Sequence, residues 1–477
     1  MRRFLVVFSC MITLFLHANN LPLKLSDAIT IQLSEPRFNT VSGSIVIEAI
    51  HDNSYTRLYE KNLTQLFTPA STIKPILSLA VLNQFGSNYR FNTKIYAGSK
   101  IVNGVVSGNI YLKGLGDPSL EFSDIQAMVR QLKHRGIKEI NGDLIYDDTY
   151  FKVDYVLNPR AARYYSSPPG ALSVNSNAVH FMIDESTHLL KPVLNSNYVT
   201  YQVDGSVLED YIRPGYPWPE IFPLPLGDHY VFHGNVTPKD VLSHFLEVLV
   251  SRPGMYFASL FYEALNKEGI LLKGHIQAGV VSNDDVLLLN YEGKPLKLIL
   301  QRLNQESNNV IAAMLNLNLA VAQGEVPATK ETGLAFLNDF VLKQLKFEDG
   351  NFFFEDASGL SIHNKITANE MMRLLRFIYK RKLTRSVLLN SFIKVGDNPE
   401  IQQVKVPAFL DVYVKTGTLA SRGVNSLIGY LIDKRNGAVY SFCILLDDQE
   451  GDAGKGYLTY PILNRIIDCL LYSNEKN

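Results

Sequence analysis

Apolar and polar positions along this chain follow two periods. Ser44-Ile45-Val46-Ile47-Glu48-Ala49-Ile50 is β-branched, and Tyr55–Tyr59 follows the turn-like His51-Asp52-Asn53-Ser54, so residues 41–62 predict a β-hairpin. From Pro69-Ala70-Ser71 the pattern changes to helical spacing, with Ile76, Leu77, Leu79, Ala80 and Leu82 running to Gly86. Residues 87–150 alternate short strands and turns around one helical stretch, Ile125–His134. Residues 151–237 are rich in Tyr, Pro, Ser and Asn and predict a loop-rich β module. A helix over Met255–Glu268 and strands near 274–290 come next.

The last third is a clear mixture of helix and strand. Leu296, Ile299, Leu300 and Leu303 mark one helix face, and Val310–Leu315 begins a second helix after a polar break. Thr367 with Glu370 predicts a capping box ahead of Met371–Lys380. Asp411–Lys415, Asn425–Ile432 and Ala438–Leu446 predict successive antiparallel strands. Asn436-Gly437 predicts a type I′ turn between the last two. No internal repeat is present. The predicted fold class is α/β in the α+β sense.

Composition bounds the class. The 477 residues, 46% hydrophobic and 19% charged, can bury a core and match about three domains by length. The 46 Lys and Arg balance 46 Asp and Glu, which argues against nucleic acid as the main partner. Three cysteines are too few for a disulfide scaffold. Cys443 and Cys469 sit in apolar contexts and are expected in the core, with a disulfide between them left open.

Met1-Arg2-Arg3, an apolar run from Phe4 to Leu16 and a small residue at Ala18 fit a secretory signal peptide over 1–18, so a periplasmic location is expected. Cys10 within that run is expected to be a signal-peptide residue. At the other end, Ile462, Leu463, Ile466, Ile467, Leu470 and Leu471 are spaced as a helix. Without flanking Lys and Arg clusters, it is expected to close over a sheet rather than lie on a membrane.

Three short motifs carry chemistry. In Ser71-Thr72-Ile73-Lys74, a helical turn brings Lys74 within reach of the Ser71 hydroxyl. A serine hydroxyl needs a base to become nucleophilic, and a desolvated lysine has a lowered pKa suited to that task. Ser307-Asn308-Asn309 falls at the polar break between two helices. Ser307 could relay a proton, and Asn309 could hold Lys74 or bind a substrate amide. A plain helix N-cap is the structural alternative. Lys415-Thr416-Gly417-Thr418 follows a strand. Lys415 and the hydroxyls of Thr416 and Thr418 suit a substrate carboxylate, and Gly417 permits close approach. The amides of Thr418 and Ser71 would form an oxyanion hole.

The order S-x-x-K, S-x-N, K-T-G is the signature of penicillin-binding proteins and serine β-lactamases. Ser71 and Ser307 are 236 positions apart, far more than in a class A β-lactamase. The chain resembles the D-alanyl-D-alanine carboxypeptidase/endopeptidases of the penicillin-binding protein 4 type. The resemblance extends to Gly108–Leu112 with Gly116-Asp117-Pro118-Ser119-Leu120, and to Gly142-Asp143-Leu144 with Asp147–Phe151. It also takes in Ser167–Ser173 and Asp356-Ala357-Ser358-Gly359-Leu360-Ser361.

The resemblance implies a transpeptidase-like domain, an antiparallel sheet flanked by helices, split by two inserted, mostly β domains. Its boundaries would be 19–92 and 287–477 for the catalytic domain, 93–150 with 238–286 for inserted domain II, and 151–237 for inserted domain III. It implies Ser71 as nucleophile, Lys74 as base, Ser307, Asn309 and Lys415 as cleft partners, and no cofactor or metal. The implied partners are peptidoglycan stem peptides and β-lactams, with at most peripheral membrane association and a homodimer left open. Two positions depart from the pattern. Asn175 and Ile362 stand where an Asp and an Arg would help hold a diaminopimelate side chain. Gly396-Asp397-Asn398 also departs from a Gly-x-Asp-Gly stretch.

A β-lactamase or esterase on the same scaffold and a non-catalytic wall-binding protein are the competing readings. Adduct lifetime and D-alanine release separate them. His229 and His233, beside Asp228, are expected to be ordinary histidines, Met371-Met372 to be core, and Lys380-Arg381-Lys382 to complement a helix dipole.

Overall fold

The computed structural model describes residues 24–52, 54–160, 162–184, 189–204, 218–233, 246–398, 401–448 and 458–472. The signal-peptide expectation for 1–18 therefore lies outside the described residues. The chain forms two compact units. One comprises 1–82, 300–307 and 337–477, and the other comprises 83–299 and 308–336.

The first unit is built on a six-stranded antiparallel sheet. Its strands are β1 (Val41–Ile50), β2 (Tyr55–Lys61), β3 (Ile393–Lys394), β4 (Leu410–Leu419), β5 (Val424–Asp433) and β6 (Val439–Asp448), in the order β2-β1-β6-β5-β4-β3. The predicted hairpin is β1–β2, and the three late strands are β4, β5 and β6. Alternation along each strand divides the sheet into two buried faces. Ile45, Ile47, Val412, Val414, Leu427, Leu431, Phe442 and Ile444 form one core with helices α1 (residues 24–33) and α6 (Thr459–Tyr472). Ile462, Leu463, Ile466, Ile467 and Leu470 all enter that core, so α6 closes over the sheet as expected. Cys443 and Cys469 are separate, buried thiols.

Val46, Ile428, Cys443 and Leu445 point to the opposite face and are fully buried. That face carries α2 (Lys74–Phe85), α3 (Leu296–Gln305), α4 (Ala368–Lys380) and α5 (Lys382–Ser391). The Tyr430 hydroxyl of β5 donates to the Leu375 carbonyl of α4 at 2.7 Å. Buried Asn304 ties three helices together, donating to Ser78 of α2 at 3.0 Å and Ser391 of α5 at 2.9 Å. Met371 and Met372 are core, as expected.

Two local predictions are corrected. The β5–β6 connection is a five-residue loop, not a two-residue type I′ turn. Only Gly437 has positive φ (75°), whereas type I′ requires it at both central residues. The capping box at α4 is half formed. Thr367 accepts from the Glu370 amide at 3.4 Å, but the Glu370 carboxylate turns away to accept from Asn351 at 3.2 Å.

The second unit holds a five-stranded sheet in the order Ile276–Ala278, Leu144–Asp147, Ile110–Gly114, Arg90–Ala97, Val286–Pro295. The helices Phe122–His134 and Pro253–Glu268 lie alongside it. Residues of the predicted loop-rich module form a three-stranded sheet of Val199–Asp204, Gly227–His233 and Trp218–Leu224. His229 and His233 therefore sit on a strand. His229 bonds Thr200, and His233 lies beside Asp204 and Glu220. Their neighbour Asp228 is buried as a hub for Tyr198, Tyr230 and Ser251.

Candidate active site

The Ser71 segment is a short turn before it is a helix. Residues Ala70–Ile73 form a 3-10 turn, and α2 begins only at Lys74, with Pro75 in its first turn where a missing amide does no harm. Ala70 is held at φ 46°, a left-handed conformation that costs a non-glycine residue roughly 1–2 kcal/mol. Two bonds secure the turn: Thr72 Oγ1 donates to the Pro69 carbonyl at 2.6 Å, and Ser426 Oγ of β5 donates to the Thr68 carbonyl at 3.3 Å. Ser71 is left partly exposed, whereas Lys74 is fully buried.

Lys74 Nζ donates to Ser71 Oγ at 2.7 Å and to the Ser358 carbonyl at 2.5 Å. Burial and the nearby Lys415 ammonium hold the Lys74 amine well below its ordinary value, with Asp356 pulling the other way. A neutral amine at this distance can accept the serine proton.

The Ser358 carbonyl is presented by a loop that Asp356 organises. The Asp356 carboxylate accepts from the amides of Ser358 (2.7 Å), Gly359 (2.6 Å) and Ser361 (2.6 Å). Buried Asn364 accepts from the Glu355 amide at 2.7 Å and donates to the Asp356 carbonyl at 3.2 Å. Gly359 has φ 87°, and a Cβ there would lie 2.1 Å from the Ala70 carbonyl oxygen. The loop thus packs directly on the nucleophile turn. Sequence reasoning quoted this segment but gave it no part in the chemistry. The signal was Gly359 inside a run of small and acidic residues.

Lys415 lies on β4, on the sheet face that carries α4, and is fully buried. Its ammonium donates to Ser307 Oγ at 2.9 Å and to the Thr416 carbonyl at 2.8 Å. Ser307 ends the turn after α3 with φ 56°. Gly417 has the close approach expected of it. A Cβ there would stand 2.8 Å from the Pro69 carbonyl and 3.0 Å from the Ser71 amide nitrogen. Thr418 is exposed beside Gly417, opposite Asn425.

Within the first unit, then, Ser71 meets Lys74, Ser307 meets Lys415, and Gly417 lies against the Ser71 turn. Asn309 belongs to the second unit and opens the helix Asn309–Ala322, with its amide donating to the Tyr165 carbonyl at 3.1 Å. The residue that caps this helix is Asn308, which accepts from the Ile311 amide at 3.0 Å. The motif therefore contains an N-cap, and Ser307 and Asn309 flank it.

The departing positions are also placed. Asn175 has φ 50° and accepts from the Phe122 amide at 3.2 Å, while Ile362 is 37% exposed. The other family-like segments form joints within the second unit. Asn109 accepts from the Asp143 amide, Asp147 from the Thr149 amide and Asp148 from the Leu172 amide. Asn177 donates to the Pro168 carbonyl.

An antiparallel sheet flanked by helices, with a serine bonded to a buried lysine, belongs to the serine-type acyl-transferring hydrolases. Residues 25–458 match the D-Ala-D-Ala carboxypeptidase 3 (S13) family, and the chain belongs to that family. It is a serine-type D-Ala-D-Ala carboxypeptidase. It is 25% identical over 453 residues to the D-alanyl-D-alanine carboxypeptidase DacB of Haemophilus influenzae, covering 86% of this chain and 89% of that protein. It is 26% identical over 369 residues to the D-alanyl-D-alanine carboxypeptidase of an Actinomadura species, covering 74% and 67% respectively. Its fold is similar to the crystal structure of penicillin-binding protein 4 from H. influenzae, with a TM-score of 0.75 at 24% identity over 94% of this chain and 98% of that one.

Proposed function

We propose that Ser71 attacks the carbonyl of the penultimate D-alanine of a peptidoglycan stem peptide. Lys74 takes its proton, the terminal D-alanine leaves, and water then hydrolyses the acyl-enzyme. The observation that carries this reading is the buried Lys74 amine 2.7 Å from Ser71 Oγ, with its pKa lowered by burial and by Lys415. Ser307, bonded to Lys415, relays the proton from Lys74 to the leaving amine, which returns Lys74 to the neutral amine needed for hydrolysis. Lys415 also attracts the terminal carboxylate, with Thr416 and Thr418 as hydroxyl partners. Gly417 lets the substrate backbone approach, and the Ser71 and Thr418 amides stabilise the oxyanion. Asn309 binds a substrate amide. A β-lactam, whose strained amide occupies the same place, acylates Ser71.

The same reading places the protein in the periplasm, on the pattern of residues 1–18, and gives it a split catalytic domain with inserted domains between Ser71 and Ser307. Asn175 and Ile362 lack the charges that would grip a diaminopimelate terminus, which favours carboxypeptidase over endopeptidase action. The test is digestion of a pentapeptide substrate and of purified sacculi, followed by mass analysis. Release of D-alanine that disappears in Ser71→Ala is the expected result. Absence of release from both substrates would contradict the reading.

A further inference from the structure

A cavity of about 660 Å³ lies in the first unit between the β1–β2 turn, the end of α4, α5 and the β5–β6 loop. Along β5, Leu427 faces Thr416 and Ile432 faces Val439, so this end of the sheet is roughly 17 Å from the catalytic strand motif. Nothing in the proposed peptidase chemistry uses it.

Arg376, Lys380 and Arg385 line the cavity with His51, and Asp52 is the acid on its wall among the described residues. Arg376 lies 3.7 Å from the buried Glu48 carboxylate, which Arg57 already holds at 2.8 Å. Among the described residues, neither Lys380 nor Arg385 has a carboxylate within ion-pair distance, although the neighbouring Arg373 pairs with both Glu348 and Glu370. The dipole explanation for the basic run holds only in part. Lys380 does end α4, but Lys382 opens α5, whose first turn carries no acid. Cations at that positive helix end are unfavourable by about 0.3–1 kcal/mol each. The cluster is therefore charged beyond what its own fold uses.

The guanidinium planes are held by rings. Arg376 lies 4.0 Å over Tyr55, and Arg385 lies 4.6 Å over Tyr379. Stacking fixes each plane; Arg376 Nε donates to the Met372 carbonyl at 3.1 Å, so its terminal nitrogens and the Arg385 guanidinium are the groups that can meet an anion. Beside the cavity, Leu383 is 86% exposed on the same first turn of α5.

We propose that this cavity binds a phosphate group, either on an anionic lipid headgroup or free in solution. Lys380 and Arg385, with Arg376 shared with Glu48, stand against the single exposed carboxylate of Asp52, so the wall keeps a net positive charge that suits a phosphate. Leu383 distinguishes the sources, because an exposed apolar side chain beside a basic cluster strengthens attachment to a bilayer but adds nothing to binding of a small ion.

The test uses the full chain, Lys380→Gln with Arg385→Gln, Lys380→Gln alone, and Leu383→Ala. Inorganic phosphate binding is measured by calorimetry, and vesicle binding by co-sedimentation with phosphatidylglycerol–phosphatidylcholine mixtures against pure phosphatidylcholine. Binding of phosphate or of anionic vesicles, weakened by salt and at least tenfold weaker in the double variant, supports the proposal. Loss of vesicle binding in Leu383→Ala identifies the lipid source, whereas an unchanged phosphate affinity with no vesicle binding identifies the free ion. Unchanged penicillin acylation shows that the variants are folded, and exposed Lys380→Gln serves if the double variant is not. Binding of neither probe above its control, or equal binding by wild type and charge variants, would overturn the proposal.

Discussion

At the scale of single residues, the chemistry rests on a lysine removed from water. Lys74 has a folded-state pKa below its unfolded value, so it is neutral above that lowered value and protonated below it. Acylation is therefore expected to rise with pH through the lowered Lys74 value, and a stopped-flow pH profile with a chromogenic β-lactam would show that limb. Lys74→Met removes the base and is expected to slow acylation by on the order of 10²–10⁴-fold. Linkage gives a second consequence. Between the lowered value and the ordinary lysine range, the unfolded chain binds more protons, so this group's contribution to stability increases with pH. Asp356 acts one step away as a positioning residue. Asp356→Asn removes the charge that supports the protonated form of Lys74, so the acid limb should move to lower pH while the rate at its plateau falls. An unchanged limb would show that Asp356 only shapes the loop.

At the scale of elements, the site depends on close backbone approach. Gly359 brings the Asp356 loop against the Ser71 turn, and Gly417 does the same for β4. Gly359→Ala faces both a positive φ and a 2.1 Å contact with the Ala70 carbonyl, so it should lower the melting temperature by several degrees and abolish penicillin labelling together. Much of this arrangement was legible in the chain. The period-two runs gave β1, β2, β4, β5 and β6, and Ser71 with Lys74 was readable from three-residue spacing alone. The contact between Ser307 and Lys415 was not, because it depends on Asn304 docking α3 against α2 and α5. Short-range rules also misassigned the Asn436-Gly437 turn and the Glu370 half of the capping box. In both places a tertiary partner or a longer loop satisfied the backbone differently. The short helix α5 was missed because its first turn lacks an acidic or capping residue.

At the scale of the whole molecule, buried acids make stability depend on pH. In the second unit, burial pushes Asp148 up to about 7 and Asp117 up to about 6, against hydrogen bonds that favour their charged forms. A carboxyl whose folded value is raised contributes stability that is present below its unfolded value near 4. That contribution is lost as pH rises through its folded value. Thermal melting of the full chain is therefore expected to fall between about pH 4 and 7, and Asp148→Asn should flatten part of that slope. A melting temperature that instead rises throughout this window, unchanged by Asp148→Asn, would argue against protonation of these groups. The resemblance in segments of the second unit is explained at this scale. Asn109, Asp147, Asp148 and Asn177 are joints that hold loops of the second unit, and their presence says more about fold than about catalysis. Among the described residues, no helix is long and apolar enough to cross a membrane.

The central claim is that Ser71, activated by Lys74, is the acylated nucleophile. The most direct measurement is intact-protein mass spectrometry after incubation with a penicillin, followed by proteolysis to locate the adduct. The account predicts one added penicillin mass on the peptide carrying Ser71, slow to decay, absent from Ser71→Ala and formed on the order of 10²–10⁴-fold more slowly in Lys74→Met. An adduct on another residue, or one that forms at the same rate in Lys74→Met, would contradict it.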